Sequence, residues 1–177
     1  MQIRRLYPAD AALYQAFRLR GLREHPQAFT SSHDEVSLQP LAQVEKRLAA
    51  ESEKVWGAFV QGVLAGMVGL SHETRLHNRH KATLVGMYVA DEFAGQGVSQ
   101  ALVATAVQEA SLSGVELLVL TVTDSNRRAC ALYERAGFLS FGVEPDAIRV
   151  AGVSFGKQHM YLQLAPASVA AVQPVHA

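Results

Sequence analysis

A pair of glycines, Gly95 and Gly97, separates an apolar run that ends at Val89 from a helical pattern that begins at Val98. Glycine lets the backbone turn tightly and come close to a ligand. The first amides of a helix lack partners inside the helix and lie at the positive end of its dipole. A strand, a glycine loop and a helix start in this order therefore predict an anion site, and the anion that we expect there is a phosphate.

Two common phosphate loops do not fit these residues. The loop that binds nucleoside triphosphates needs a lysine directly after its last glycine, and lysine follows neither Gly95 nor Gly97. The dinucleotide pattern GxGxxG needs a small third residue, so that the helix packs closely on the strand, and Gln100 stands at that position. A dinucleotide-dependent oxidoreductase therefore remains the weakest alternative.

A second motif lies downstream, after a helical segment and a strongly apolar strand. The segment from Asn126 to Phe138 matches the pattern N-x-x-A-x-x-x-Y-x-x-x-G-F at every fixed position. The six residues from Ala94 to Ser99 resemble the pattern [RQ]-x-x-G-x-[GA]. With both motifs in this order, the chain is similar to the GCN5-related N-acetyltransferases, also called the GNAT superfamily. The resemblance covers about residues 2–164.

The resemblance implies an α/β (α+β) fold with a mixed, mostly antiparallel sheet of about seven strands and about four helices. Apolar spacing predicts helices over residues 9–24, 38–52, 98–112 and 126–136. A hairpin is expected at Gln61-Gly62, and a second one should pair strands 138–143 and 155–164. Loop composition fills residues 26–37. The strand that ends at Val89 and the apolar strand 115–122 should be parallel, because a helix joins them.

The resemblance also implies a cofactor site for acetyl-CoA, without a metal. Met87 and Val89, with Tyr88 between them, would offer their backbone groups to the pantetheine arm. The pyrophosphate would lie on the amides of the glycine loop and the helix start, at Gly95, Gln96, Gly97, Val98, Ser99 and Gln100. Ala94 and Ser99 depart from the motif, and the missing arginine or glutamine at residue 94 removes a contact to phosphate. We expect cofactor binding to survive these changes in a weakened form.

Two residues of the second motif carry the expected chemistry. Tyr133 occupies the position at which the family often has a general acid, and a phenol can protonate a leaving thiolate. Asn126 lies about two turns earlier on the same helix face, where the family contacts the cofactor arm. The residues alone also allow a packing role for Tyr133 and a helix cap for Asn126. The attack of an amine also needs a base, and the sequence does not identify one. His33, Glu35, His72 and Glu73 fit surface positions better than a catalytic one.

These features predict an N-acetyltransferase that moves the acetyl group of acetyl-CoA to a primary amine of a small molecule or peptide. The alternative is an acyl-CoA-binding module with little catalysis, suggested by Ala94 and the missing base. Arg18, Arg20 and Arg23 could bind an acidic acceptor, but we interpret them as a solvated helix face. The sequence leaves a homodimer open, with pairing through the apolar C-terminal strand.

Composition sets the remaining expectations. The chain has 177 residues, 49% of them apolar and 18% charged, which fits one globular domain. We place this N-acetyltransferase domain at residues 1–165 and expect a flexible tail at residues 166–177. A formal net charge of zero disfavours nucleic acid and anionic membranes as partners. One cysteine, Cys130, and the lack of a leader-like or membrane-spanning run predict the cytoplasm.

Overall fold

The computed structural model describes residues 1–164, so the tail expected at residues 166–177 lies outside the described residues. A seven-stranded sheet runs through the molecule in the order β1-β2-β3-β4-β5-β7-β6. Every neighbouring pair is antiparallel except β4 and β5, which are parallel. The strands are β1 Gln2–Arg5, β2 Glu53–Val60, β3 Val63–His72, β4 Lys81–Val89, β5 Leu117–Thr123, β6 Leu139–Val150 and β7 Val153–Gln163. The predicted fold class, with a parallel central pair, is confirmed.

Five α-helices accompany the sheet, together with single 3₁₀ turns at Pro8–Asp10, Pro26–Ala28 and Asp91–Phe93. They are α1 Ala11–Glu24, α2 His33–Ser37, α3 Leu41–Ala49, α4 Val98–Leu112 and α5 Arg127–Arg135. The short α2 lies in the stretch expected to be a loop. The Ser32 hydroxyl accepts a hydrogen bond from the Glu35 amide, and the Glu35 carboxylate accepts one from the Ser32 amide. This capping box stabilises a helix start despite the loop-like composition.

The helices cover both faces of the sheet. On one face, α1 and α3 bury Phe17 and Leu48 in a cluster that includes Tyr88 of β4. On the other face, α4 and α5 bury Leu102 and Tyr133 in the larger cluster. The apolar stripes that the sequence predicted for these helices therefore face two separate cores.

A β-bulge in β4 changes the face to which its side chains point. Met67 pairs with Tyr88 and Gly69 pairs with Val85, so β4 carries one residue more than β3 over this stretch. Leu84 belongs to the α4 core and Tyr88 to the α1 core, although both are even-numbered. Only an inserted residue reverses strand alternation in this way. Gly86 lies in the bulge with φ +61°, a conformation that favours glycine.

The parallel strands separate soon after they meet. β4 pairs with β5 from Lys81 to Thr83, opposite Leu117 to Val119, and the pairing then stops. β5 continues to Thr123 against β7, while β4 continues to Val89 against β3. The second half of β4 therefore presents backbone groups to a gap in the sheet.

One of the two predicted hairpins matches the structure closely, and the other differs in length. The β2–β3 turn lies at Gln61-Gly62, as predicted. The β6–β7 hairpin is longer than predicted, because β6 continues past Pro145 to Val150. Proline is tolerated on an edge strand and at an irregular register, and β6 provides both. β7 lies between β5 and β6, so the C-terminal strand is not an edge strand, and the edges of the sheet are β1 and β6.

Candidate functional site

A groove of about 560 Å³ opens where β4 and β5 separate. Its walls come from the end of β4, the glycine loop, the start of α4, one side of α5 and the segment 25–29 after α1. The lining includes His25, Phe29, Met87, Val89, Asp91, Gly95, Gly97, Ser99, Gln100, Asn126, Arg128, Ala129, Leu132 and Arg135. The two sequence motifs thus meet across one cavity, although more than 25 residues separate them in the chain.

The glycine loop has the geometry that an anion site needs. Gly95 and Gly97 have φ values of +78° and +79°, and an added Cβ at either would meet open space. Gly97 is the N-cap of α4 and offers no side chain, so the first helical bond runs from the Ala101 amide to the Gly97 carbonyl. Within residues 1–164, the amides of Val98, Ser99 and Gln100 have no backbone acceptor. Three unpaired amides at the positive end of a helix therefore face the groove mouth.

The other loop residues have structural or lining positions. The Gln96 side chain donates to the Glu92 carbonyl at 3.1 Å and so braces the loop. The Val98 side chain is buried in the core, which leaves its backbone amide as its contribution to an anion site. Ser99 is half-buried and lines the groove. Ala94 also lines it and brings no charge.

Two arginines on the opposite wall supply the positive charge that Ala94 lacks. Arg128 and Arg135 lie on α5, line the groove, and pair with no carboxylate among residues 1–164. Sequence reasoning missed them because the motif leaves both positions variable. Their separation of seven residues places them on one side of α5, which could have pointed to them.

Tyr88 contributes backbone to the groove and sends its ring elsewhere. The ring packs under α1, at 5.0 Å between centroids from Phe17, and a Cβ at Gly21 would clash with it at 2.9 Å. Its hydroxyl donates to the Glu24 carboxylate at 2.5 Å. Burial, and then this hydrogen bond, raise the pKa of Tyr88. The phenol is therefore a fixed structural donor, and the cofactor role expected for the backbone of β4 stays a prediction.

An ion-pair network connects α1 to the glycine loop. Glu24 accepts from Arg20 Nε at 2.8 Å, and Arg20 forms two further bonds of 2.7 Å with Glu92. These bonds to Arg20 lower the pKa of Glu92 to about 2. Because Glu92 lies in the turn directly before the loop, the network fixes where the loop begins. Glu24, His25 and Asp91 also approach within 4.8 Å as metal-ligand types, but both Glu24 oxygens already accept hydrogen bonds.

Helix α5 brings the second motif to the groove. Asn126 Oδ1 accepts from the Ala129 amide at 3.1 Å, so Asn126 is an N-cap and also lines the groove. Tyr133 is buried in the core, with its ring centroid 5.8 Å from that of Phe138. Burial raises the pKa of Tyr133, which keeps the phenol protonated. Tyr133 itself is not among the described residues that line the groove, and its side chain belongs to the core beside α5.

The segment 25–29 spans the gap between the separated strands. The Gln27 carbonyl accepts from Thr123 Oγ1 at 2.6 Å, and the Ala28 carbonyl accepts from Lys157 Nζ at 3.2 Å. Lys157 is 5% exposed, and its burial lowers its pKa. These bonds hold the segment against β5 and β7 on the far side of the gap from β4.

His25, which sequence reasoning used only to end α1, lines the groove with its imidazole. Its Nε2 lies 3.3 Å from Asp91 Oδ1. The contact joins the end of α1 to the turn after β4, residues that are 66 positions apart. No local pattern could have predicted this pair.

The residues considered as bases lie elsewhere. His72 contacts the Ser113 hydroxyl at the end of α4, a helix length of about 22 Å from the glycine loop. Glu73 follows β3 at the same end. Glu35 caps α2, and its bonds to Ser32 lower its pKa, while His33 contacts Arg23 and Asp34. None of the four is among the described residues that line the groove.

No helix within residues 1–164 is both long enough and apolar enough to cross a membrane.

Solved structures share this architecture. An acetyltransferase of the GNAT family from Streptococcus pneumoniae is 25% identical, with a TM-score of 0.83 over 93% of this chain and 99% of that chain. YncA from Salmonella typhimurium, a candidate acetyltransferase solved with its cofactor acetyl-CoA, is 22% identical with a TM-score of 0.76 over 95% and 98% of the two chains. Ribosomal-protein-alanine N-acetyltransferase from Brucella melitensis is 21% identical, with a TM-score of 0.77 over 93% and 100%. The last two establish likeness of fold.

The sequence comparisons extend this result. A search of curated proteins found no match. The profile of the Acetyltransferase (GNAT) family matches residues 18–138, which is more than half of the chain and includes both motifs. The chain therefore belongs to the GNAT acetyltransferase family, as the two motifs predicted.

Proposed function

We propose that this protein is an N-acetyltransferase that moves the acetyl group of acetyl-CoA to a primary amine. The observation that carries the proposal is the groove itself, which combines three unpaired amides at the α4 start with the unpaired edge of β4. A phosphate at one end and an extended arm along the other are what this combination can hold. The family membership and the acetyl-CoA in the Salmonella structure support this cosubstrate.

The binding mode follows from the lining. The pyrophosphate of acetyl-CoA lies on the amides from Gly95 to Gln100, and Arg128 and Arg135 add charge from α5. The pantetheine arm pairs with the backbone of Met87 and Val89 as a further strand would. The acetyl group then lies near the bulge at Gly86, on the side of the segment 25–29.

The reaction needs two proton transfers around one substitution. The amine nitrogen attacks the thioester carbonyl carbon, an amide bond forms, and the carbon–sulfur bond breaks. Tyr133 is the proposed acid for the leaving sulfur, because it holds the tyrosine position of the second motif and a phenol is protonated at neutral pH. His25 is the proposed acceptor of the amine proton, through groove water, since it is the one histidine among the described lining residues.

The acceptor belongs to the class of primary amines on small molecules or peptides. The Brucella relative is named for the alanine of a ribosomal protein, which makes a peptide amine one member of that class. An acyl-CoA-binding module with little catalysis is the second candidate, favoured by the alanine at residue 94. A homodimer remains a prediction, and the open β6 edge is its proposed interface.

The test is to incubate purified protein with acetyl-CoA and a panel of primary amines, and to measure released CoA thiol together with the mass of the acetylated product. We expect both to rise together for at least one amine. Calorimetric binding of acetyl-CoA without turnover on the whole panel would favour the binding module. Tight binding of NADH with no binding of CoA would overturn both readings.

A further inference from the structure

We propose that Arg18 recognises a carboxylate on the amine acceptor, so that the preferred substrates are amino-acid-like or peptide amines that carry a carboxylate near the reacting nitrogen. This inference rests on the proposed transferase function and names its substrate class. Its basis is the position of the Arg18 guanidinium between the bulge of β4, the ring of Phe29 and a second, cationic cleft.

The Arg18 guanidinium lies close to Phe29 and to the bulge of β4. Its guanidinium carbon lies 6.0 Å from the centroid of the Phe29 ring. A Cβ built at Gly86 would be 3.4 Å from Arg18 Nη1, so the guanidinium lies directly over the bulge. Phe29 and Met87, the residue after Gly86, both line the groove. Arg18 therefore stands beside the place where the acetyl group is proposed to lie.

The charge of Arg18 has no internal partner among residues 1–164. Other arginines pair with carboxylates, namely Arg4, Arg5, Arg20, Arg47 and Arg149. Arg18 forms neither an ion pair nor a hydrogen bond with any described carboxylate, although it is half-buried. A guanidinium that has no carboxylate beside it keeps its donors available for the carboxylate of a ligand.

A second cleft, of about 520 Å³, extends from Arg18 between α1, α2 and α3. Its charged lining consists of Arg18, Lys46, Arg47 and Glu53. Glu53 already accepts from Arg47 Nε at 2.5 Å, so the net charge left for a ligand is positive. An acceptor whose carboxylate faces this cleft would leave its amine toward the groove.

The shape of the guanidinium also favours a carboxylate over an anion that accepts only one hydrogen bond. A guanidinium presents two parallel N–H donors that match the two oxygens of a carboxylate, and such paired bonds are stronger than neutral ones. A lysine at this position would offer a point charge without the fork. Arg18 is half-buried, whereas Arg23 is exposed, so a binding role suits Arg18 better than the solvated helix face expected from the sequence.

The experiment compares pairs of acceptors, each an L-amino acid and its carboxamide, on wild type, Arg18→Gln, Arg18→Lys and the control Arg23→Gln. We expect wild type to prefer the acid, and Arg18→Gln to raise KM for the acid about 10- to 100-fold. KM for the carboxamide and for acetyl-CoA should stay unchanged. For Arg18→Lys, KM for the acid should lie between the values of wild type and Arg18→Gln. For Arg23→Gln it should match wild type. Circular dichroism of each variant checks the fold.

Binding separates this inference from the proposed function. The same acids and carboxamides are titrated calorimetrically onto the protein saturated with CoA. An amino acid that binds wild type, binds Arg18→Gln more weakly and is never acetylated would support carboxylate recognition by Arg18. The same result would overturn the proposed transferase function. If wild type and Arg18→Gln acetylate the acid and the carboxamide at the same ratio of rates, the proposed role of Arg18 is overturned. The proposed transferase function would then still stand. The proposed role of Arg18 would also be overturned if wild type bound the acid no more tightly than the carboxamide.

Discussion

Tyr133 is the residue on which the proposed protonation of the leaving sulfur depends. Its side chain is buried in the core, and burial raises its pKa, so the phenol is protonated throughout the neutral range. We expect Tyr133→Phe to lower kcat about 100-fold, because general acid catalysis contributes about 10²–10⁴, while KM for acetyl-CoA stays the same. Steady-state thiol release measures both.

The matched control for this variant is Tyr161→Phe. Tyr161 packs against Phe141 beside the β6 edge, away from the groove, and should leave kcat unchanged. A Tyr133→Phe enzyme as fast as wild type would remove the phenol from the mechanism and leave it a packing role.

His25 is the residue that the proposed mechanism adds to the sequence prediction. Asp91 lies 3.3 Å from its Nε2 and fixes the ring at the groove wall. We expect His25→Gln to lower kcat by about tenfold or more, since a base is lost from the path of the amine proton. Unchanged calorimetric affinity for acetyl-CoA distinguishes this loss from a binding defect. A variant with wild-type kcat would assign the proton directly to solvent.

Site residues that are neighbours in the chain can be predicted from the sequence, and residues that only the fold brings together cannot. The phosphate loop is contiguous, and its glycines, helix start and neighbouring strand carry the signal together. Arg18, His25 and Phe29 reach the site only because α1 packs across β4, more than 50 residues away in the chain. Their function depends on tertiary contacts, which leave no local spacing to detect.

At the scale of elements, the start of α4 is the part that should decide cofactor affinity. Gly97 has φ +79° and open space where a Cβ would point. We expect Gly97→Glu to abolish measurable acetyl-CoA binding, because a carboxylate would enter the anion site and a side chain would strain this backbone. Isothermal titration of acetyl-CoA gives the affinity.

A glycine of the β2–β3 turn provides a close control for the Gly97 substitution. Gly62 has φ +81° and the same open surroundings, but it is not among the described residues that line the groove. Gly62→Glu should lose similar stability and keep its affinity. Equal affinity of the two variants would contradict the assignment of the loop.

The ion pair between α1 and the turn before the glycine loop predicts that the stability of the fold depends on pH in the acid range. Bonds to Arg20 lower the pKa of Glu92 to about 2, from 4.5. A carboxyl whose folded pKa is lowered stabilises the fold above pH 4.5, and this contribution is lost as the pH falls toward 2. We therefore expect Arg20→Gln to be less stable than wild type at neutral pH, with the difference shrinking in acid.

Urea unfolding at neutral pH and at pH values between 4.5 and 2 tests this expectation. Arg23→Gln is the control, since Arg23 contacts His33 and no carboxylate within residues 1–164. A constant stability difference across this range would show that Arg20 acts through packing instead of its ion pairs.

Elements also differ in how well their boundaries follow from sequence. α4 and α5 begin and end where glycines and Asn126 indicate, because caps are local. The bulge at Gly86 and the passage of β6 through Pro145 depend on which strand lies beside them. Sheet neighbours decide such irregularities, and one strand's sequence does not contain them.

At the scale of the whole molecule, the sheet consists of two parts that meet at three residue pairs between β4 and β5. The segment 25–29 adds hydrogen bonds from Thr123 and Lys157 across the gap. A ligand in the groove contacts β4, α4 and α5 at once, and so contacts both parts. Cofactor binding should therefore stabilise the whole fold, beyond the loop that holds the phosphate.

This coupling gives a prediction for thermal unfolding. A ligand that binds only the folded state at 100 times its Kd adds about 2.7 kcal/mol of stability, which for a domain of this size corresponds to about 5–11 °C in Tm. We expect acetyl-CoA to raise Tm by this amount in wild type, as measured by scanning calorimetry. NADH should raise it little, because the dinucleotide pattern lacks its third small residue. Gly97→Glu should show no rise with acetyl-CoA, since its anion site is blocked. A larger rise with NADH than with acetyl-CoA would instead mean that the groove is a dinucleotide site.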